Sequence, residues 1–318
     1  MGLFDWLKPA PPLDPETARW VEKTVDTAEP LIRQTADYAH ALAPAVRHAL
    51  AHCSHIAEQI PGPVEITRAA FAADPTVHAI FGSADDIGTM LARSQCVRDH
   101  MVEMSLASGS GQCCAILGMR HREKSGFGVG ISGDVVRTDV PQRTLYFTDH
   151  TLAEPSPDLA GARLRLCDAL YDGLLKGFAA HVADEREIRD GLTREHAIMN
   201  AQLRAHRLSA DHTRRLETLS ERLHASRDAL QPERLREALI DTLCHPEPHL
   251  SLAPVSVTVD RFGIIVGPDS GQGGDTLHFM ELSARDKRRW VVMLARINQE
   301  EAREALERLE SSRRYIVI

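Results

Sequence analysis

The sequence predicts an α+β protein, in which helices precede and flank an antiparallel β body and a long α-helical hairpin is inserted between two strand clusters. Three observations predict it. The run from about Pro155 to His245 is charged and carries its apolar residues at helical spacing. The segments on either side of it alternate apolar and polar residues, as half-buried strands do. And 318 residues, 43% hydrophobic and 26% charged, suffice for about two ordinary globular domains. The chain divides accordingly into an N-terminal hook and Pro-rich linker (1–14), a helical region (15–110), a first strand cluster (111–154), the inserted hairpin arm (155–248), and a second strand cluster with a C-terminal helix (249–318).

Charge and composition exclude several classes. A net charge of -8 and a pI near 6.1 give no whole-molecule attraction for nucleic acid or an anionic membrane face. The six cysteines (Cys53, Cys96, Cys113, Cys114, Cys167, Cys244) show no paired spacing, which fits a reducing cytoplasm better than a disulfide framework. The first eight residues lack the basic region and longer apolar stretch of a secretory signal. No apolar run approaches the roughly 20 residues of a membrane-spanning helix. Leu3, Phe4, Trp6 and Leu7 form at most a one-turn amphipathic hook for peripheral contact with a membrane or partner, followed by the linker Pro9 to Pro15.

From Pro15 to Ile60 the pattern is helical, interrupted at Pro30 and Pro44, because proline removes a donor and clashes with the preceding turn. Three linked helical pieces are expected. In the last, Leu42, Val46, Ala49, Cys53, Ile56 and Ile60 make the buried stripe. His48, His52 and His55 fall on a different, polar side, at the i, i+4, i+7 spacing that lets imidazoles converge on a metal ion. No carboxylate or cysteine shares their stripe, so a solvated face is the simpler reading. After Pro61 to Pro63 come short helices. Ser83, three residues before Asp86, caps Ile87 to Ala92, and Ser94 starts the next helix.

From Cys113, alternation predicts antiparallel strands at about 113–121, 126–138 and 142–149. Gly128 to Gly133 is formally a G-x-G-x-x-G, but a strand-like stretch follows it where a dinucleotide site needs a helix, so a bulge is expected instead. The loop Gly267 to Asp275 lacks the lysine and Ser/Thr of a P-loop. No cofactor is expected. Polar residues gather around Asp139, Asp149 and His150. A carboxylate can orient a histidine as a general base, but neighbours on a regular strand face opposite ways, so Asp149 does not pair with His150 and Asp139 would have to reach it from a neighbouring strand. Two stretches, Pro61 to Phe81, and Gly133 to Gln142 with Phe147 to His150, resemble hypothetical proteins predicted from bacterial genomes. The resemblance covers about a third of the chain and implies a bacterial origin, with no activity attached.

In the arm, Leu164, Cys167, Tyr171, Leu174 and Phe178 follow the 3-4 spacing of helix-against-helix packing, and Ile188, Leu192, Met199 and Leu203 continue it. Leu216, Leu219, Leu223 and Leu230 resume it in a second helix capped by Ser209, with the hairpin turning near Arg207 to Asp211. Ala183 to His224 holds eight acidic residues and eight arginines, which excludes a polybasic clamp and fits either a solvated face or a protein interface. Pro232 opens a final helix through Leu243. Cys244, His245 and His249 offer three potential zinc ligands, stiffened by prolines and without a second spaced pair.

Beyond the arm, Val255 to Val259, Ile264 to Val266, Leu277 to Leu282 and Trp290 to Leu294 suggest four more strands, pairing with the first cluster or forming a separate sheet. Asn298 with Glu301 resembles a capping box for a last helix lined by Ala302, Leu306 and Leu309. With no catalytic, metal or nucleotide motif standing out, the leading expectation is a non-enzymatic cytoplasmic protein acting through protein contacts, as a homodimer or with another partner, by way of the arm. The alternative is an enzyme or small-ligand-binding protein with a site near Asp139, Asp149 and His150, between the β body and the N-terminal helices.

Overall fold

The structure is a computed structural model and describes residues 12–105, 111–132, 135–205, 210–267, 273–284 and 289–314. The hook at Leu3, Phe4, Trp6 and Leu7, the cap at Ser209, and the tail Tyr315 to Ile318 lie outside the described residues. So do Gly133 and most of the expected hairpin turn. The protein is α+β, as its alternation and helical spacing predict, and its chain falls into two compact units, 1–53 with 170–250, and 54–169 with 251–318.

The first unit is helical. α1 (Pro15–Ala28) begins with Asp14 accepting the Thr17 N–H and is followed by a 3₁₀ turn (Pro30–Gln34). α2 (Tyr38–Gln59) contains Pro44 without breaking there. Proline holds φ near the helical value, so only one backbone hydrogen bond is forfeited, and the apolar face holds the rest of the helix in place. That face is the predicted one: Leu42, Val46, Ala49, Cys53, Ile56 and Ile60 are all buried. From Leu170 onward, α7 (Leu159–Ala205) belongs to this unit, with α8 (Ala210–Ala229) and α9 (Pro232–Cys244). The Tyr171 hydroxyl shares a 2.5 Å hydrogen bond with Thr24 Oγ1, and its ring meets Trp20 edge-on. Arg186 reaches the buried Glu29 carboxylate at 2.7 Å, and Lys23 pairs with Asp172. The first helix of the expected arm is therefore anchored to α1 between Tyr171 and Arg186 rather than standing free there.

The buried line of α7 differs from the predicted one. Leu166, Leu170, Tyr171, Leu174, Leu175 and Phe178 are buried, whereas Leu164 is exposed. A helix packed on more than one neighbour buries a wider face than the narrow 3-4 line of a two-helix pair. Further along, Leu192 meets Leu219 and Leu223 of α8 in a small separate cluster, while Ile188 and Ile198 are exposed.

The second unit is built on a six-stranded sheet. The two predicted strand clusters join in it, in the order β3-β2-β6-β5-β4. Instead of three strands, residues 112–156 form two long ones, β2 (Gln112–Ser132) and β3 (Val135–Ser156), paired antiparallel along their length. β4 (Leu250–Val259), β5 (Asp275–Ala284) and β6 (Arg289–Asn298) complete the antiparallel set. One of the four strands expected beyond the arm, that at Ile264 to Val266, is reduced to single bridges from Ile264 to Thr144 and from Ile265 to Val259. β1 (Val64–Ile66) lies parallel to β6 at Ala295 to Ile297, beyond the stretch that β5 occupies.

One face of this sheet carries Cys113, Ala115, Leu117 and Met119 of β2, Leu277 and Phe279 of β5, and Val291 to Ile297 at alternate positions of β6. Packed into the same core are α3 (Arg68–Ala73), α4 (Pro75–Ile80), α5 (Ala84–Arg93), α6 (Gln95–Ser105) and α10 (Gln299–Arg314). Ser83 caps α5 as predicted, accepting the Asp86 N–H. At α10, Asn298 accepts the N–H groups of Glu300 and Glu301, but Glu301 does not complete a capping box. Its carboxylate takes the Arg68 N–H of α3 at 2.8 Å, tying the start of one helix to the start of another.

Candidate functional site

The site begins with an irregularity in β3. Thr148 pairs with Arg120 and Thr151 with Gly118, so Asp149 and His150 together oppose Met119. Such a two-against-one bulge inserts one residue and reverses which parity faces the core. Leu145 and Phe147 are buried before it, Leu152 after it. Asp149 absorbs the distortion at φ 58°, a left-handed conformation that asparagine and aspartate tolerate better than most residues.

The bulge carries His150 to the end of α4. A six-residue helix leaves its last carbonyls unpaired within the helix. That of Ile80 lies 2.9 Å from His150 Nε2, while the Phe81 ring stacks on the imidazole at 4.8 Å between centroids and 18° between planes. Since the carbonyl can only accept, Nε2 carries the proton and Nδ1 keeps its lone pair. Nδ1 has no hydrogen-bond partner among the described residues. Burial is the largest influence on the ring and lowers its pKa from the ordinary 6.5, outweighing the opposing effects of the Ile80 carbonyl, Asp86 and Asp149. The imidazole is thus held neutral, in one tautomer.

These groups border a cleft of about 1280 Å³ within the second unit. Asp86, Thr89, Met90 and Arg93 reach it from one face of α5, at the i, i+3, i+4, i+7 spacing of a helix. Ser94 and Cys96 follow, the Cys96 thiol donating to the Leu152 carbonyl at 3.0 Å. The opposite rim is the loop 259–263. Asp260 organises that loop by accepting the Phe262 and Ile264 N–H groups, and Gly263, at φ 76°, offers its carbonyl to Leu145 N of β3. Glycine fits there because a side chain is strained at that φ.

Five carboxylates line the cleft, those of Asp74, Asp86, Asp149, Asp260 and Asp275, against two guanidiniums, Arg93 and Arg261. Asp74 caps α4 through the Thr76 N–H, Asp260 serves its own loop, and Asp149 lies 3.6 Å from Arg120. Asp86 and Asp275 have no side-chain partner among the described residues. Arg261 lies over the Phe262 ring.

Of the residues singled out from sequence, Asp149 and His150 line this cleft and Asp139 does not. Asp139 is on the same strand as His150, eleven residues earlier, on the order of 30 Å away at the rise of a β-strand. The expectation that it approaches from a neighbouring strand fails because 126–138 is not a strand of its own. Asp139 instead lies at a second irregularity, where the register shifts between Gly128 and Gly130. The G-x-G-x-x-G stretch thus marks a bulge, as its strand context predicts.

The metal candidates do not assemble. His52 Nε2 is 2.9 Å from the Leu250 carbonyl, His55 contacts Gln59, and His48 is exposed. His245 Nδ1 lies 3.1 Å from Asp241, and the His249 N–H bonds the Pro246 carbonyl. Cys244 is half-buried. Among the described residues no three His, Cys, Asp or Glu side chains are grouped to hold an ion. Nor is any helix there long and apolar enough to cross a membrane.

Sequence reading missed Ile80, Phe81, Asp86, Cys96 and Asp260. Only the polar i, i+3, i+7 face of α5 left a trace, and that pattern reads equally as a solvated surface. Compared with known proteins, the chain matches no family model, no curated protein and no solved structure.

Proposed function

We propose that this chain is a small-ligand-binding protein whose site is the cleft between β3 and helices α3 to α6, with His150 Nδ1 as its principal hydrogen-bond acceptor. One observation carries the reading: a strained bulge and a helix-terminal carbonyl together hold a neutral imidazole in one tautomer, its remaining lone pair unpaired, beside a cavity of ligand size. Backbone strain at such a position is a common companion of binding sites. The test is a fragment screen on the full chain by protein-observed NMR, repeated with Thr89→Trp, which fills the cleft from the exposed surface of α5. Fragments that bind the native chain and are lost from both Thr89→Trp and His150→Ala support the reading. Hits indifferent to both variants overturn it.

A second reading, action through protein contacts by α7 and α8, is favoured by the exposure of Ile188 (49%) and Ile198 (60%) beside the small Leu192, Leu219 and Leu223 cluster. Sedimentation of the native chain and of an Ile188→Glu, Ile198→Glu double variant measures its self-association form. A monomer at all concentrations, with no change on substitution, removes that form of the reading.

A further inference from the structure

Resting on the cleft as a ligand site, we infer that its ligand is an organic cation, a protonated primary amine with an apolar or aromatic body, whose ammonium donates to His150 Nδ1 and lies beside Asp86 and Asp149.

The acceptor comes first. Nδ1 carries a lone pair that nothing in the described protein uses, so the complementary group must be a donor. Hydroxyls, amides and ammonium groups all qualify, and the surrounding charge selects among them. Asp86 and Asp149 are close enough for their fields to act on the imidazole. Among the described residues the Asp86 carboxylate has no side-chain partner, and Asp149 has a 3.6 Å contact to Arg120 and accepts the Thr148 hydroxyl at 3.4 Å. An anion entering here would face these carboxylates at short range, whereas an ammonium gains from both and donates three hydrogen bonds.

A neutral imidazole is also what a cation requires. An imidazolium would repel the ammonium and offer it no lone pair. Burial against Phe81 keeps the ring uncharged near neutral pH, so the acceptor is ready where the amine is still protonated.

The body of the ligand follows from the remaining wall. Tyr146 and Phe262 are among the lining residues and are 42% and 68% exposed, with the Arg261 guanidinium over part of the Phe262 ring. Aromatic faces near carboxylates suit an amine joined to a hydrophobic group, through both apolar contact and cation–π attraction. The two guanidiniums do not reverse the preference. Arg261 is already seated on Phe262, and Arg93 lies two helical turns from Asp86 along α5.

The test is calorimetric titration of the full chain at low ionic strength with three probes that share one aromatic body: 2-phenylethylamine, 2-phenylethanol and 3-phenylpropionate. The amine is expected to bind at least about tenfold more tightly than the carboxylate, and to lose affinity as salt is raised while the alcohol does not. Asp86→Asn should weaken the amine about fivefold and leave the alcohol unchanged. Thr89→Trp should abolish all binding. If the alcohol or the carboxylate binds as tightly as the amine and Thr89→Trp removes it, the cation inference falls and the cleft stands. If amine binding survives Thr89→Trp, the assignment to this cleft falls as well. Absence of binding by the amine overturns the inference, while the fragment screen still decides the cleft.

Discussion

Two regions of this protein bury leucine side chains by different means. In the second unit, Leu117 sits in the first third of β2, where it has β3 on one side and β6 on the other and helices over the sheet face. Farther along the helical pair, Leu219, Leu223 and Leu192 make up a cluster of three buried residues among the described residues. All are nearly inaccessible, yet their surroundings differ. A side chain in a continuous core loses packing on every side when truncated, and its neighbours cannot close the gap without moving strands. One in a three-residue contact can be relieved by a small shift of one helix. Burial by itself therefore does not rank residues by importance.

The largest expected effect sharpens that contrast. Leu117→Ala should destabilise the chain by about 4 kcal/mol, towards the upper end for buried leucines, and Leu219→Ala by about 2 kcal/mol. Urea titration checks both values. Hydrogen exchange separates their mechanisms: amides of β2 and β6 should exchange only through global unfolding, those around Leu192 and Leu219 through local opening. Equal protection in the two regions would break the comparison.

Next in size is the bulge. Asp149→Val, placing a β-branched residue at φ 58°, should cost about 2 kcal/mol. In the ligand-site reading it should also weaken binding at the cleft by disturbing His150. Stability lost with binding retained would show that the bulge only shapes the sheet edge. A smaller loss, about 1 kcal/mol, is expected for Asn298→Ala, which leaves the Glu300 and Glu301 N–H groups without their side-chain acceptor. Thermal unfolding of the variant measures it.

The smallest effect is the pH dependence from His150. Its folded pKa lies below the unfolded value near 6.5, chiefly because burial disfavours the imidazolium. Between those values the unfolded chain binds more protons, so stability rises with pH there. The contribution of neutral His150 is complete above about pH 6.5 and lost as pH falls through the lower folded pKa. Asp86 and Asp149 face the ring and limit the shift without reversing it. The stability difference between the native chain and His150→Gln should therefore shrink on acidification. A difference independent of pH from 7 to 5 would remove this assignment.

Legibility followed the range of the interactions involved. The stripe Leu42 to Ile60, the Ser83 cap, the first-turn Pro232 and the insertion of helices between strand clusters were readable because periodicity and capping are set within a few residues. The bulge at Asp149 and His150 was not, since register depends on which residue of β2 each residue of β3 meets. Nor was the fate of Glu301, which abandons its own cap for Arg68, more than 200 residues away in sequence.

By itself the sequence determined the fold class, the order of elements and most of the buried faces, because burying alternate or every third-to-fourth residue is a local requirement of chain geometry. It also marked Asp149 and His150 as polar residues next to a strand of buried ones. Only tertiary structure decided that both clusters share one sheet, that Asp139 lies far along the ribbon, and that the Ile80 carbonyl meets His150. The tautomer of that histidine, and so which ring nitrogen keeps its lone pair, is set by a partner seventy residues away, a contact that exists only once the sheet and α4 have packed.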